Sequence, residues 1–281
     1  MAPTQRHRWL TLPDNSERRR RGDLLQFAVD HARADFEDRY PDAHFAPVVA
    51  LVAAYEEERN IGDVLKEIPT LIGDLGVSTL VVVDGGSDGT DRVAMDAGVF
   101  TCVLPVNLGH GMALRLGYQL AIAHGARYVV TLDADGQNDP AEMADMLQPL
   151  LDGTADFVIG SRRLGTDQTT DRFRRAGVTL YAWILNTILS QRLTDSSSGY
   201  RAFTVELLKD VVPRLVQSQY QTAEVLITAA ARHWRITERP TVWHPRASGT
   251  SKKGGNLFFG LQYARVIVTT WGRVTLDRRR T

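Results

Sequence analysis

Apolar runs alternate with segments of helical spacing along most of the chain from residue 47 onwards. The runs contain no charged residue and are rich in β-branched side chains, which is typical of strands buried on both faces of a parallel sheet. Strands that alternate with helices form βαβ units, so we expect an α/β fold: a Rossmann-like, doubly wound, mostly parallel sheet with helices on both faces. The pattern predicts strands at Val48–Ala54, Thr79–Val83, Val99–Val106 and Tyr128–Leu132, and helices over Glu57–Ile72, after Ser87 and over His110–His124.

The second half of the chain has a looser pattern of strands and helices. We expect this half to bind a second molecule, the acceptor, at any site that the first half forms. The predicted organisation is an N-terminal extension over residues 1–46, which we interpret as a flexible or docking arm, one domain over 47–255, and an amphipathic helix with a basic tail over 256–281. The elements predicted after residue 155 are a strand at Phe157–Gly160, a long apolar helix over Arg172–Ser190, a short strand at Gly199–Phe203, two further helices, a strand near Ile236 and a final helix from about Asn256.

The final helix has an apolar stripe opposite a narrow polar strip. Such a helix usually packs on its own domain or on a partner, so a homo-oligomer is one of the alternatives. Contact with a membrane surface is the alternative, because arginines follow the helix. The stripe consists of Leu257, Leu261, Ala264, Val268 and Trp271, broadened by Phe258, Phe259, Tyr263 and Ile267.

Charge and composition narrow the choice of partners. The 281 residues are 43% hydrophobic and include 33 basic and 33 acidic side chains, so the overall charge indicates no particular partner. Basic residues are concentrated between Arg246 and Thr281, where Asp277 is the one acid, which suits a phosphate group or an acidic membrane surface. The run Arg18–Arg21 lacks interleaved aromatic residues, so we predict no nucleic-acid partner.

The single cysteine and the apolar content indicate the compartment. Cys102 cannot form a disulfide within the chain, which favours a reducing compartment. The first residues lack the apolar core of a secretory leader, and no run of about 18–20 apolar residues occurs. We therefore expect a cytoplasmic protein, peripheral at most on the cytoplasmic face of a membrane.

Acidic residues follow three of the predicted strands. They lie in the segments Ala54–Glu57, Asp84–Ser87 and Asp133–Asp135. Ligands of doubly wound sheets bind beyond the carboxyl ends of the strands, so these segments predict one site. Asp133 and Asp135 present oxygens to a hard cation such as Mg²⁺ or Mn²⁺, which would neutralise the charge of a departing diphosphate.

The segment Asp133–Pro140, with the sequence DADGQNDP, resembles the signature of inverting family 2 glycosyltransferases of GT-A fold. The resemblance is to the dolichyl-phosphate mannose synthase-like branch, which transfers sugars to polyprenyl phosphates, and it covers about residues 47–255. The chain departs from the family pattern in having Ala53 in place of proline and Glu56 in place of asparagine. Membrane-spanning helices common in the family are absent after residue 255. Further elements in the family order are Ala53–Ile61, Val83–Thr90, Asn107–Ala113, Gly160–Arg162, Ser198–Phe203 and Arg246–Lys252.

The resemblance implies a role for each matching residue. Asp133 and Asp135 are implied to hold the metal, and Asp135, Arg201 and Arg246 to act in catalysis. Arg246 would lie on a loop that closes over phosphate, where guanidinium and ammonium groups are suitable partners. The implied positions for the nucleotide are Ala54, Tyr55, Glu57, Asp84 and Gly109, and those for the diphosphate are Ala134, Gln137, Arg162, Ser251 and Lys252.

The need for a catalytic base depends on the acceptor. A phosphate acceptor is already ionised, so that catalysis would consist mainly of positioning and charge stabilisation. A hydroxyl acceptor would need a carboxylate base, for which Asp195 is the first candidate and Glu224 the second.

The first hypothesis is therefore a transferase that moves a hexose from a GDP- or UDP-sugar to polyprenyl phosphate. A second hypothesis is a family 2 enzyme acting on a small-molecule acceptor such as a secondary metabolite. A nucleotidyltransferase is a third, although the glycine- and arginine-rich loop expected after its first strand is missing. A non-catalytic dinucleotide-binding module is disfavoured because no Gly-x-Gly-x-x-Gly follows that strand.

Overall fold

The computed structural model describes residues 15–168, 182–189, 191–246 and 256–278. Strands and helices alternate through the first half, as the hydrophobic pattern predicts. The strands are β1 (Val48–Ala54), β2 (Leu71–Ile72), β3 (Leu75–Val83), β4 (Phe100–Val103), β5 (Tyr128–Asp133), β6 (Phe157–Asp167), β7 (Arg201–Thr204) and β8 (Ile236–Trp243). The helices are α1 (Asn15–Arg39), α2 (Ile61–Glu67), α3 (Thr90–Asp96), α4 (His110–Ala123), α5 (Met143–Leu151), α6 (182–189), α7 (Val205–Val211), α8 (Gln221–Ala231) and α9 (Asn256–Arg278).

The eight strands form one sheet in the order β2-β3-β1-β5-β7-β6-β8, with β4 also paired to β3. The strands β4, β3, β1 and β5 are parallel to one another, and β8 is parallel to β6. Only β2 and β7 run against the strands beside them. The mostly parallel α/β sheet predicted from the sequence is therefore confirmed.

Side chains of β1 alternate between two apolar layers, as the period of a strand requires. Val49 and Leu51 point into a layer with α1, α4, α7, α8 and α9. Val48, Ala50 and Val52 point into the opposite layer, which α2, α3 and α5 cover. Both faces of the sheet are therefore buried, which explains the unbroken apolar sequence of the strand.

The segment before β1 differs from the arm expected over residues 1–46. Its apolar residues Val29, Ala32 and Phe36 recur at helical spacing on α1 and are buried in the core. The rings of Phe36 and Phe45 pack against each other at a centroid distance of 6.3 Å. Residues 28–45 are therefore part of the domain, whereas the side chains of the arginine run lie outside the described residues.

The predicted helix over Glu57–Ile72 is too long. Helix α2 ends at Glu67, and its C-cap Ile68 has an extended backbone with ψ 120°. Pro69 follows, and a proline disfavours helical backbone in the residue before it. The chain then turns at Gly73, with φ +57°, into the β2–β3 hairpin. Of the long helix predicted over Arg172–Ser190, the structure describes residues 182–189, all of which are helical.

Helix α9 packs through a different stripe from the main one predicted. Tyr263, Val266 and Ile267 are buried against the domain, whereas Val268 and Trp271 are exposed. The stripe expected to be secondary is therefore the one that packs. Among the described residues, no helix is long and apolar enough to cross a membrane.

Candidate active site

Three acidic segments meet at one edge of the sheet. Strand β1 lies between β3 and β5 and is parallel to both, so the segments leaving their carboxyl ends are neighbours. Ala54, for example, is directly opposite Val83. The segments carry Glu57, Asp84 and Asp133 respectively. The sequence prediction that these acids share one edge agrees with this topology.

The turn after β5 places two carboxylates at that edge. The side-chain oxygen of Asn138 accepts a hydrogen bond from the backbone N–H of Asp133 at 2.8 Å, which closes the turn. Within the turn, Asp135 accepts from the N–H of Gln137 at 3.2 Å. Gly199 passes close to the first carboxylate, since a Cβ built on it would lie 3.1 Å from Oδ1 of Asp133. A side chain at residue 199 would therefore compete for the space of that carboxylate.

Arg246 bridges carboxylates from two strand ends. Its guanidinium donates to Oδ2 of Asp135 at 3.1 Å and also to Oε1 of Glu57. The residue is brought there because the segment after β8 pairs with the β5 turn. The backbone N–H of His244 donates to the carbonyl of Gln137 at 2.9 Å. The backbone carbonyl of His244 accepts from the side-chain amide of Gln137 at 3.2 Å. A positive group therefore lies between two of the predicted site carboxylates.

Asp84 faces the N-terminus of α4. Its carboxylate accepts from the N–H groups of Leu108 at 2.7 Å and Gly109 at 2.9 Å. Burial raises the pKa of Asp84 to about 6, although these two hydrogen bonds act in the opposite direction. Tyr55 lies on the neighbouring segment, and the charge of Glu56 raises the pKa of its phenol. The predicted nucleotide positions thus include a carboxylate oriented by backbone amides.

The structure does not support Asp195 as a catalytic base. Its carboxylate is fully buried and paired with Arg162 through bonds of 2.5 and 2.7 Å. Burial opposes ionisation of the carboxyl, but the hydrogen bonds and charge of Arg162 hold the pKa of Asp195 below its usual range. The guanidinium in turn lies over the ring of Trp243, 4.7 Å from its centroid. The role of Asp195 as the base stays a prediction, which this pairing disfavours because a paired carboxylate of lowered pKa is a poor proton acceptor. Arg162 is likewise committed to a buried ion pair.

Arg201 is bonded to the protein backbone in this structure. Its side chain is buried, and burial lowers the pKa of the guanidinium. The three guanidinium nitrogens donate to backbone carbonyls of Ser198, Thr222 and Ser196 at 2.7, 2.8 and 2.9 Å. This arrangement holds the segment before β7, and a role of Arg201 at the phosphates or the acceptor stays a prediction.

Glu224, the second base candidate, is also fully buried. It accepts from the N–H groups of Val216 and Gln217 at 2.9 and 3.0 Å, and from Arg273 at 2.6 Å. Neither candidate base thus faces open space at the acidic edge. Ser251 and Lys252, the other residues of the predicted phosphate loop, lie outside the described residues.

Residues 49–212, more than half of the chain, match the family model described as Glycosyl transferase family 2. The chain belongs to this family. It is 26% identical over 253 residues to the UDP-N-acetylglucosamine–dolichyl-phosphate N-acetylglucosaminyltransferase of Methanococcus voltae, which covers 81% of the chain and 97% of that relative. It is 29% identical over 237 residues to the undecaprenyl-phosphate mannosyltransferase of Micrococcus luteus, with coverage of 80% and 93%.

The fold is also that of solved glycosyltransferases. Glucosyl-3-phosphoglycerate synthase of Mycobacterium tuberculosis, solved with Mn²⁺, UDP and glucosyl-3-phosphoglycerate, superposes with a TM-score of 0.63. The two sequences are 19% identical, and the match covers 85% of this chain and 84% of that one. The GT-A architecture implied by the family resemblance is therefore confirmed.

The acidic edge has the donor atoms that a divalent cation of this family requires. Within the described residues, no three His, Cys, Asp or Glu side chains form a complete metal-binding cluster. Mg²⁺ and Mn²⁺ commonly take only one or two carboxylates and complete their coordination with substrate phosphates and water. Asp133 and Asp135 supply hard oxygen donors, and the guanidinium of Arg246 already lies against the second of them. The residues thus fit the metal.

Sequence reasoning missed the residues that support the site. Asn138 orients the backbone at Asp133, and Ser218 contacts the start of α4, where Gly109 lies. Asn138 lies inside the family signature Asp133–Pro140, so the sequence contains a signal for it. Ser218 lies in an irregular segment that carries no sequence signal. Of the remaining predicted positions, Ala54 and Ala134 are buried in the apolar layer beneath the edge.

Proposed function

We propose that the chain transfers a hexosyl group, with inversion, from a nucleotide-diphosphate sugar to polyprenyl phosphate. The observation that carries this proposal is the edge where Asp135 and Glu57 meet the guanidinium of Arg246, with Asp133 in the same turn as Asp135 and the buried carboxylate of Asp84 at the neighbouring strand end. Oxygen donors and a cation at one place suit a metal diphosphate, and the named activities of the two relatives agree with such a donor.

On this proposal, Asp133 and Asp135 bind Mg²⁺ or Mn²⁺, which would neutralise charge on the departing nucleoside diphosphate. Asp84 accepts hydrogen bonds from the nucleotide, and Tyr55 lies beside it. Arg246 exchanges its carboxylate partners for phosphate oxygens, which a planar guanidinium pairs with through two parallel bonds. Each group would thus hold the donor in place rather than exchange protons with it.

The proposed acceptor rests on two arguments. Both relatives are named for transfer to a polyprenyl or dolichyl phosphate, although they differ in the sugar. A phosphate is an ionised nucleophile that needs no base, which agrees with the burial and pairing of Asp195 and Glu224. Such an acceptor fits a cytoplasmic protein that contacts a membrane surface, where the exposed Trp183 and Trp271 would be suitable residues.

A second candidate is transfer to a small anionic acceptor. Its support is the solved fold relative, which contains glucosyl-3-phosphoglycerate and therefore acts on a phosphorylated small molecule. The two candidates share the donor half of the reaction and differ only in whether the product carries a lipid.

One assay tests the donor, the metal and the acceptor together. Purified full-length protein is incubated with radiolabelled UDP- and GDP-sugars, Mg²⁺ or Mn²⁺, and polyprenyl phosphate, and the label is partitioned between water and an organic solvent. We expect label in the organic phase with metal and none with a chelator. Label transferred only to added 3-phosphoglycerate would favour the second candidate. Wild-type protein that turns over none of these sugars would contradict the proposed function.

Asp135→Asn is the variant that examines the metal site. We expect transfer to fall on the order of 100-fold or more, as when a group that stabilises transition-state charge is lost. Asp145→Asn on the exposed face of α5 is the matched control and should keep full activity. Full activity in Asp135→Asn would remove this residue from the metal site.

A further inference from the structure

We propose that Glu224 and Arg273 are positioning residues for the nucleotide, acting through residues 216–218 on the N-terminus of α4. The inference rests on the proposed function, because it concerns the affinity of the same donor site. The two residues belong to α8 and α9.

The first step is the buried ion pair itself. Glu224 has no exposed surface, and its two oxygens accept from the N–H groups of Val216 and Gln217. Arg273 donates to the same carboxylate at 2.6 Å and is partly exposed at the surface of α9. A buried carboxylate that loses its cation is strongly destabilised, so Arg273 keeps Glu224, and with it the two amides, in place.

The second step is the contact between residues 216–218 and α4. The N–H of Gly111 donates to the carbonyl of Ser218 at 2.9 Å, and Gln221 donates to the carbonyl of Gly111 at 2.8 Å. The backbones touch so closely that a Cβ at Gly111 would lie 2.9 Å from the carbonyl oxygen of Gln217. A Cβ at Gly109 would overlap Ser218. Any shift of residues 216–218 is therefore transmitted to the first turn of α4.

The third step leads to the proposed nucleotide position. Gly109 donates its N–H to the carboxylate of Asp84 at 2.9 Å, and Leu108 donates at 2.7 Å. These amides orient the carboxylate that would bind the nucleotide. The contacts run from Arg273 through Glu224 to the backbone of Gln217, and the next residue, Ser218, contacts Gly109 and Gly111 at the start of α4. Gly109 completes the connection from the last helix to Asp84.

The expected effect is on donor affinity rather than on the chemical step. Residues that orient metal ligands typically contribute about 10- to 100-fold in affinity, and we expect the same order for residues that orient a nucleotide-binding carboxylate. Nucleotide contacts are made in the ground state and kept in the transition state, so losing them raises KM with little change in kcat. We expect Arg273→Met to raise the donor KM about 10-fold, with kcat within about 3-fold of wild type.

The experiment measures binding and steady-state kinetics on the full chain. The affinities for UDP and GDP in the presence of Mn²⁺ are determined by calorimetry, and the donor KM and kcat are determined with the sugar that wild type uses. Arg273→Lys retains the cation and should restore affinity to within about 3-fold of wild type, as expected for a charge that only positions its partner. Arg265→Met, on the exposed face of the same helix, is the matched control and should bind as wild type does.

Gly111→Ala provides a second route to the same contact and keeps both residues of the buried ion pair. The new methyl group pushes against Gln217, so this variant should show the same rise in KM even if Arg273→Met is too unstable to purify. Wild-type affinity in folded Gly111→Ala, or in folded Arg273→Met, would overturn the inference. A wild-type protein that binds neither UDP nor GDP would instead overturn the proposed function from which the inference starts.

Discussion

Asp133 lies against the backbone of Gly199, where an added side chain would press on its carboxylate. In Gly199→Ala the new Cβ would approach Oδ1 of the carboxylate to 3.1 Å and Oδ2 to 3.3 Å. We expect the carboxylate to be displaced and Mn²⁺ affinity in the presence of UDP to fall on the order of 10-fold, as measured by calorimetry or electron paramagnetic resonance.

Gly272→Ala is the control for this substitution. A Cβ at Gly272 meets nothing within 4 Å and lies in α9, where alanine favours the helix. This variant should bind Mn²⁺ as wild type does. Equal Mn²⁺ affinity in the two alanine variants would show that Asp133 has no part in holding the metal.

The raised pKa of Asp84 predicts that the stability of the fold and the affinity for the nucleotide depend on pH in an unusual way. Burial raises the pKa of its carboxyl from 3.8 to about 6, so the folded protein binds this proton more tightly than the unfolded chain does. The protonated form therefore stabilises the fold below about pH 4, and this stability is lost as the pH rises through 6. The shift of about two units corresponds to at most about 3 kcal/mol.

Between pH 5 and 7, two measured quantities should consequently move in opposite directions. The free energy of unfolding of wild type should fall relative to that of Asp84→Asn, whose side chain does not titrate. The affinity for the nucleotide sugar should rise, because the ionised carboxylate is the better acceptor. Parallel pH profiles for wild type and Asp84→Asn would exclude Asp84 as the titrating group.

At the scale of single residues, sequence predicted where charges lie along the chain but not which charges pair. Asp195 and Glu224 had the right residue type and the right neighbourhood for a base. Each instead binds an arginine that folding brings from a distant part of the sequence, Arg162 for the first and Arg273 for the second. Burial and pairing depend on the packed chain, so no local pattern could have revealed them.

At the scale of elements, α1 is an integral part of the core. Phe36 is 1% exposed. The centroid of its ring lies 4.9 Å from that of the Tyr40 ring and 6.4 Å from that of the Phe100 ring. We expect Phe36→Ala to lower the free energy of unfolding by about 3–5 kcal/mol in denaturant titrations. Phe27→Ala on the same helix removes a ring that is 70% exposed and should change stability by less than about 0.5 kcal/mol. Equal stability of the two variants would mean that α1 is not packed in solution.

The helices and strands themselves were predictable where local chemistry decides them. The uninterrupted apolar runs correctly indicated β1, β3, β4 and β5, because strands buried on both faces have no polar side to show. The helix predicted over Glu57–Ile72 is too long because helical spacing continues past Pro69, which disfavours helical backbone in the residue before it. The orientation of α9 was not predictable, since two adjacent stripes are apolar and tertiary packing selected the one with Tyr263 and Ile267.

At the scale of the whole molecule, donor and metal should stabilise the fold together. A ligand at 100 times its Kd adds about 2.7 kcal/mol to the free energy of unfolding, which is roughly 5 °C in Tm for a chain of this size. We expect this rise with UDP or GDP plus Mn²⁺, measured by thermal unfolding. Nucleotide with a chelator should give a much smaller rise, and an equal rise without metal would contradict a metal-linked diphosphate site.

The sequence by itself determined the parallel sheet, the acidic segments at three strand ends and the glycosyltransferase family, because strand patterns and the Asp133–Pro140 signature are local. Only the tertiary structure decided the partners of the charged groups. Arg246 meets Asp135 across 111 residues and Glu57 across 189. The tertiary structure also placed both candidate bases, Asp195 and Glu224, in buried ion pairs. The physical reason is that burial and pairing arise from contacts between distant segments, whose distances exist only once the sheet has brought the strand ends together.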